Sequence, residues 1–160
     1  MRQVFIKWFY EFDAIECGFV KFGEAGATDL IRKAEGAPDA VIVFAMPKGR
    51  ANREEERGRL LGMAEFERER LQTEDEIDLK QSRPESFKSN GEYRWPEALR
   101  ATRAWRFLGK PLTKSVLPKG LRSDARRWAY RLSDEDAEKI LNLPMVEESV
   151  PRGRKPRKSE

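Results

Sequence analysis

Arg59-Leu60-Leu61-Gly62-Met63-Ala64-Glu65-Phe66, read with the earlier run Ala40-Val41-Ile42-Val43-Phe44-Ala45-Met46, decides how this chain folds. Both runs are short and apolar, and both are bounded by polar or breaker residues, which predicts adjacent strands of a small mixed sheet. A glycine inside a strand marks a bulge or a place where something approaches the backbone closely. Gly62 is therefore a candidate wall of a pocket, and Glu65 is a lone carboxylate that reads either as a satisfied strand residue or as a ligand contact.

Working outward, Val4-Phe5-Ile6-Lys7-Trp8-Phe9-Tyr10 is aromatic and β-branched, a first strand by propensity. Gly23 to Gly26 breaks the chain before Thr28–Ala34, a short helix closing at Gly36. Pro47 to Gly58 reads as an exposed connection in which Glu54-Glu55-Glu56 is a solvated face. Glu67 to Tyr93 has no sustained periodicity and is dense in breakers from Pro84 to Gly91; irregular stretches of this length are usually functional or disordered.

Trp95 to Leu108 is ambiguous. Pro96 at a first-turn position, the spacing of Ala98, Ala101, Trp105 and Leu108, and Gly109 as a stop favour a helix. Pro111–Leu117 and Arg127–Leu132 read as short strands, and Ser133-Asp134-Glu135-Asp136 caps a final helix through about Leu143. These elements predict one α+β domain over residues 1–143, followed by a basic tail over 144–160.

The 160 residues, 39% of them hydrophobic, suffice for one domain with a core of its own. The single cysteine, Cys17, excludes an intramolecular disulfide and reads as a small buried hydrophobe. No apolar run approaches the ~20 residues of a membrane span, and the Met1-Arg2-Gln3-Val4 start lacks a signal-peptide layout. The expected compartment is the cytoplasm, or the nucleus in a eukaryote. With no histidine and one cysteine the chain cannot build a structural zinc site or a histidine-dependent triad, which excludes most hydrolase chemistry.

The last ten residues hold five basic side chains and one acid, which accounts for the whole net charge of +4. Within the neutral remainder, Arg94 to Arg131 carries 11 basic residues against Glu97 and Asp124. One surface is thus expected to be strongly positive, as nucleic-acid partners require.

Taken in order, Phe5-Ile6-Lys7, the helix ending at Gly36, Ala40–Met46 and Gly62-Met63-Ala64-Glu65 resemble the PUA-like superfamily, specifically its EVE and YTH branches. The similarity continues with Arg94-Trp95, then Arg103-Ala104-Trp105-Arg106-Phe107 and Pro111-Leu112, covering roughly residues 4–117. Trp8 stands where the family has a serine, and the first cage tryptophan of YTH domains falls near Phe22 or Gly23, so the chain is nearer a divergent prokaryote-type EVE-like domain.

The resemblance implies a twisted β-barrel with flanking short helices, residues 102–108 as a strand, and a pocket for one base swung out of a nucleic acid. A flipped base needs π-faces, polar groups at its edge and cations for the flanking phosphates. Trp95, Phe22, Tyr93 and Trp8 are the candidate faces, with Gly62 at the base edge; Arg94, Arg100, Arg103, Arg126 and Arg127 are the candidate phosphate contacts. Trp8 and Trp105, lying in apolar runs, read first as core. Trp128 reads equally as core or as an outer stacking surface.

The expected partner is nucleic acid, DNA ahead of RNA, with a modified base and possible coupling to the nuclease of a modification-dependent restriction system. No catalysis, cofactor, metal or membrane is expected. The tail Pro151-Arg152-Gly153-Arg154-Lys155-Pro156-Arg157-Lys158 loosely resembles an AT-hook, with Arg152, Arg154 and Arg157 as DNA contacts. Two other classes compete. Pro38-Asp39 with Asp78-Leu79-Lys80 formally matches a carboxylate–magnesium nuclease pattern. A protein-interaction or anti-restriction module would instead need an acidic face.

Overall fold

The computed structural model describes residues 1–49 and 52–152. In chain order the elements are β1 (Val4–Trp8), α1 (Asp13–Glu16), β2 (Phe19–Phe22), α2 (Gly26–Lys33), β3 (Val41–Ala45), β4 (Leu60–Phe66), β5 (Leu71–Gln72), α3 (Thr73–Glu76), β6 (Glu97–Phe107), α4 (Thr113–Val116), β7 (Tyr130–Arg131), α5 (Asp134–Leu141) and β8 (Met145–Glu148). The strands form one mixed sheet ordered β2-β6-β4-β3-β1-β7, strongly curled into half a barrel, with β5 and β8 also on β6. The fold is α+β. Among the described residues no helix is long and apolar enough to cross a membrane.

The two runs that opened the reading are neighbours: β3 pairs antiparallel with β4, and parallel with β1. Every residue of β3 is fully buried because both faces of the sheet are covered. Alternate side chains feed two apolar clusters: Phe5, Ile42 and Phe44 join one with Leu30 of α2, while Val4, Ile6, Val41 and Val43 join the other with Ile140 of α5. A strand covered on both faces reads as a continuous apolar run rather than an alternating one.

β6 resolves the ambiguity of the stretch that begins at Trp95. It is an 11-residue strand, not a helix. Its first residues pair with β2 and β5, its later ones with β4 and β8. Trp105 and Phe107, two apart, both face the second cluster. Four partners' worth of ladder bonds and shared burial override the local helical spacing.

Four expectations are corrected. Pro111–Leu117 is not a strand: only its start is extended, with an Arg59–Leu112 bridge, and α4 follows. A helical turn there lets Val116 and Leu117 both reach the second cluster. Arg127–Leu132 shortens to β7, because Ser123–Arg126 forms a 3₁₀ turn first. The tail expected from residue 144 begins with β8, whose Glu147 and Glu148 meet Arg103 and Arg106 of β6 at 2.6 and 2.7 Å. The 47–58 connection is not a simple exposed loop: Pro47, Asn52, Glu56 and Gly58 are buried. Asn52 Nδ2 donates to the carbonyls of Phe9 and Tyr10, and Glu56 lies 3.9 Å from the Lys110 ammonium.

Candidate nucleic-acid interface

Because β1 and β3 run parallel, both deliver their C-terminal ends to one rim of the half-barrel. β1 ends there at Trp8, and β3 continues through Met46 and Pro47 to Lys48. The chain leaving β6 returns to the same rim. Leu60 N donates to the Pro111 carbonyl and Thr113 N to that of Gly58, both at 2.9 Å, which ties α4 to the start of β4. β7 then pairs antiparallel with β1, Ile6 opposite Tyr130, so the segment before β7 lies along the end of β1.

These segments enclose an open cavity of about 420 Å³. Trp8 and Leu121 supply its apolar surface, and Lys48, Lys114, Lys119 and Arg126 supply its charge. No carboxylate lines it. None of the four cations has an ion-pair partner among the described residues, and all four are exposed. Like charges left uncompensated around a partly enclosed space focus a positive potential and attract anions. Thr113 adds a polar group at the wall: it is 3% exposed, and its hydroxyl has no hydrogen-bond partner among the described residues. Buried polar atoms are nearly always paired, so this hydroxyl keeps an unused capacity for a hydrogen bond at the cavity wall, as the buried oxygens of Gln3 and Asn52 do elsewhere.

Behind Trp8 lies Lys7, 2% exposed, whose Nζ donates to the Trp8 carbonyl at 3.0 Å and sits 4.5 Å from the Phe9 ring. Burial lowers its pKa to about 8, against the attraction of Asp13. It anchors the backbone of Trp8 rather than lining the cavity.

A second aromatic group occupies the neighbouring edge. Trp95 lies 5.5 Å from Tyr10 and 5.9 Å, edge-on, from Tyr93, which in turn meets Phe87 at 5.5 Å. Thr73 Oγ1 donates to the Trp95 carbonyl at 2.6 Å. Below, Lys21 pairs with the buried Asp13 at 3.3 Å; burial pushes the Asp13 carboxyl up to about 7, although Lys21 opposes the shift. The rings here pack on each other.

The residues expected to form one pocket are therefore separated. Tyr93 and Trp95 stay together, and Trp8 joins Arg126 in the basic cavity. Phe22 is fully buried in the first cluster and offers no face to a base. Gly62 does mark a close approach, but the approaching groups are the Trp105 carbonyl and, 2.5 Å from a Cβ placed there, the ring of Phe12. The protein fills that space itself.

The expected phosphate contacts divide in the same way. Arg103 is held by Glu147, and Arg100 lies 3.8 Å from Glu76 and over the Phe19 ring. Arg126 and Arg127 are exposed, the latter 4.5 Å over Trp128. Arg94 is exposed, its Nε donating to the Glu85 carbonyl. Arg152 lines a different cavity, of about 710 Å³, with Arg100, Arg103 and Glu147. Arg154 and Arg157 lie outside the described residues. Glu65 is a satisfied carboxylate, accepting from Arg2 at 2.7 Å.

Asp78, proposed for metal binding, accepts from Lys80 N and caps a 3₁₀ turn. The group of three acids close enough to share an ion among the described residues is Glu11, Asp13 and Glu16, which includes neither Asp39 nor Asp78. Cys17 is half-buried; burial pushes its thiol up to about 12, leaving it unreactive at neutral pH.

The cavity's Lys48, Lys114, Lys119 and Thr113 were not singled out as site residues from the sequence. The available signal was lysine beside a breaker, in Pro47-Lys48-Gly49 and Pro118-Lys119-Gly120, which places a cation on a tight turn. Set against known protein families and against curated proteins, the chain matches no family model and no curated protein.

Proposed function

We propose that this chain is a PUA-like nucleic-acid-binding domain, a reader without chemistry of its own, that accommodates one base on Trp8 within the basic cavity. The observation that carries the reading is the coincidence at one place of an indole, four cations and the Thr113 hydroxyl, the last five without partners among the described residues. A base needs the ring, its phosphates need the cations, and its polar edge needs a group such as the hydroxyl. The volume of about 420 Å³ lies within the range of about 300–1,000 Å³ typical of small-molecule sites. The curled sheet and the strand at Arg103–Phe107 support the PUA-like assignment.

Recognition of a methylated base follows from the same site as a preference rather than an absolute requirement. One buried methyl contributes about 0.8 kcal/mol, roughly a fourfold change in affinity.

The test is a binding panel of single-stranded and duplex DNA and RNA carrying 5-methylcytosine, 5-hydroxymethylcytosine, N6-methyladenine or no modification. Trp8→Ala is expected to weaken binding by about 1–3 kcal/mol. Because Trp8 also packs against the second cluster, Lys119→Glu is the companion variant, expected to weaken binding without lowering the melting temperature. Absence of nucleic-acid binding, or binding indifferent to both substitutions, overturns the proposal.

A further inference from the structure

Two tryptophans, Trp95 and Trp128, pack against neither apolar cluster. Trp95 is enclosed by Tyr10 and Tyr93. Trp128 differs: it is half-buried, has no ring neighbour among the described residues, and is covered by the Arg127 guanidinium 4.5 Å away. Arg127 is exposed and has no ion-pair partner among the described residues. An indole kept off the core under one uncompensated cation combines the two features that single-stranded nucleic acid uses, a π-face for a base and a charge for its phosphate.

Its position relates it to the cavity. β7 runs antiparallel to β1 with Ile6 opposite Tyr130. Trp8 ends β1, and Trp128 lies two residues before β7, just after the Ser123–Arg126 turn, so both stand near the end of the short β1–β7 pairing. Arg126, two residues before Trp128, lines the Trp8 cavity. Arg126 thus connects the Trp8 cavity to the segment that carries Trp128.

We infer that Trp128 is a second stacking platform, for the nucleotide adjacent to the one on Trp8, and that the ligand is a single strand of at least two nucleotides rather than a free nucleotide. This rests on reading the Trp8 cavity as a base site. Arg126 meets the phosphate joining the two nucleotides, and Arg127 moves from the Trp128 ring to the next phosphate or to the far face of the second base. Stacking on Trp128 tolerates any base, so it adds affinity and no sequence preference.

The experiment measures affinity for a nucleoside monophosphate, a dinucleotide and an eight-nucleotide single strand, using the full chain and its Trp8→Ala, Trp128→Ala and Trp128→Phe variants. In the unaltered chain the dinucleotide is expected to bind more tightly than the monophosphate by about fivefold or more. Trp128→Ala removes that gain and leaves the monophosphate affinity unchanged; Trp128→Phe, which keeps a ring and guards against a folding defect, retains part of it. Equal affinity for monophosphate and dinucleotide overturns the inference, as does a gain that survives Trp128→Ala. If Trp8→Ala weakens binding while Trp128→Ala does not, only the second platform fails. If nothing binds, the base-site reading fails with it.

Discussion

The cations of β6 and four of those that follow it come from one continuous basic stretch of sequence, yet the fold treats the two sets oppositely. Arg100, Arg103 and Arg106 on β6 each face a carboxylate, from Glu76, Glu147 and Glu148. Lys114, Lys119, Arg126 and Arg127, on the return toward β7, face none among the described residues. Arg103 and Arg106 tie a short edge strand, β8, to the sheet and Arg100 faces α3, whereas Lys114, Lys119 and Arg126 surround Trp8 and Arg127 covers Trp128. Basic composition marks a stretch of chain, whereas availability for a ligand depends on which acids the fold brings alongside.

The largest effect that tests this contrast is expected from reversing Lys48, Lys114, Lys119 and Arg126 to glutamate together. Binding to single-stranded oligonucleotides should fall about 1,000-fold at low salt. The slope of log affinity against log salt should shrink by about three, at about 0.7 per lost phosphate contact. Replacing Arg100, Arg103 and Arg106 by alanine together should leave that slope nearly unchanged. Equal flattening in the two sets would erase the distinction between paired and unpaired cations.

Next in size is a third kind of cation, Lys7, buried and forming no ion pair among the described residues. Its folded pKa of about 8 lies below its ordinary value of 10.5, so between those limits the unfolded chain binds a proton that the folded chain has released. Stability attributable to Lys7 therefore rises with pH across that window, by about 3 kcal/mol in all. Urea denaturation at pH 7, 9 and 10.5 should show this rise relative to Lys7→Met, which should be the more stable protein at pH 7. Parallel pH dependences in the two proteins would show that Lys7 keeps its charge at no cost.

A smaller effect is expected at the other aromatic group. Trp95→Ala should change oligonucleotide affinity by less than about threefold, against about 5- to 150-fold for Trp8→Ala, and should destabilise the fold by about 1 kcal/mol through lost ring packing. A loss of binding equal to that of Trp8→Ala would move the base to the Tyr10–Trp95 shelf. The smallest effect is Glu147→Ala, which removes an exposed partner of Arg103. It should change neither melting temperature nor affinity measurably; stronger binding would show that Arg103 had been held back from a phosphate.

The legibility of the fold varied with the range of the forces that make each element. Val4–Trp8, Val41–Ala45 and Leu60–Phe66 were readable because apolar character and β-propensity are carried by the residues themselves. Ser133 was readable as a cap because the bond it accepts, from Asp136 N at 3.2 Å, lies within one turn. β8 was not, because its glutamates matter only against arginines some 40 residues earlier in the chain. Nor was α4, whose start is tied to Gly58 and Arg59, more than 50 residues earlier in the chain.

The candidate site divides along the same line. By itself the sequence determined that the chain lacks histidine and so cannot build a structural zinc site or a histidine-dependent triad, that it builds a mixed sheet around two central strands, and that a long segment is basic. Only the tertiary structure decided that Phe12 fills the space beside Gly62, that β6's arginines are paired, and that Trp8 opens onto cations from two separate connections, β3–β4 and β6–β7. The reason is that a strand is specified by neighbours one or two residues away. A binding site is specified by which distant side chains are left without partners once the sheet has closed.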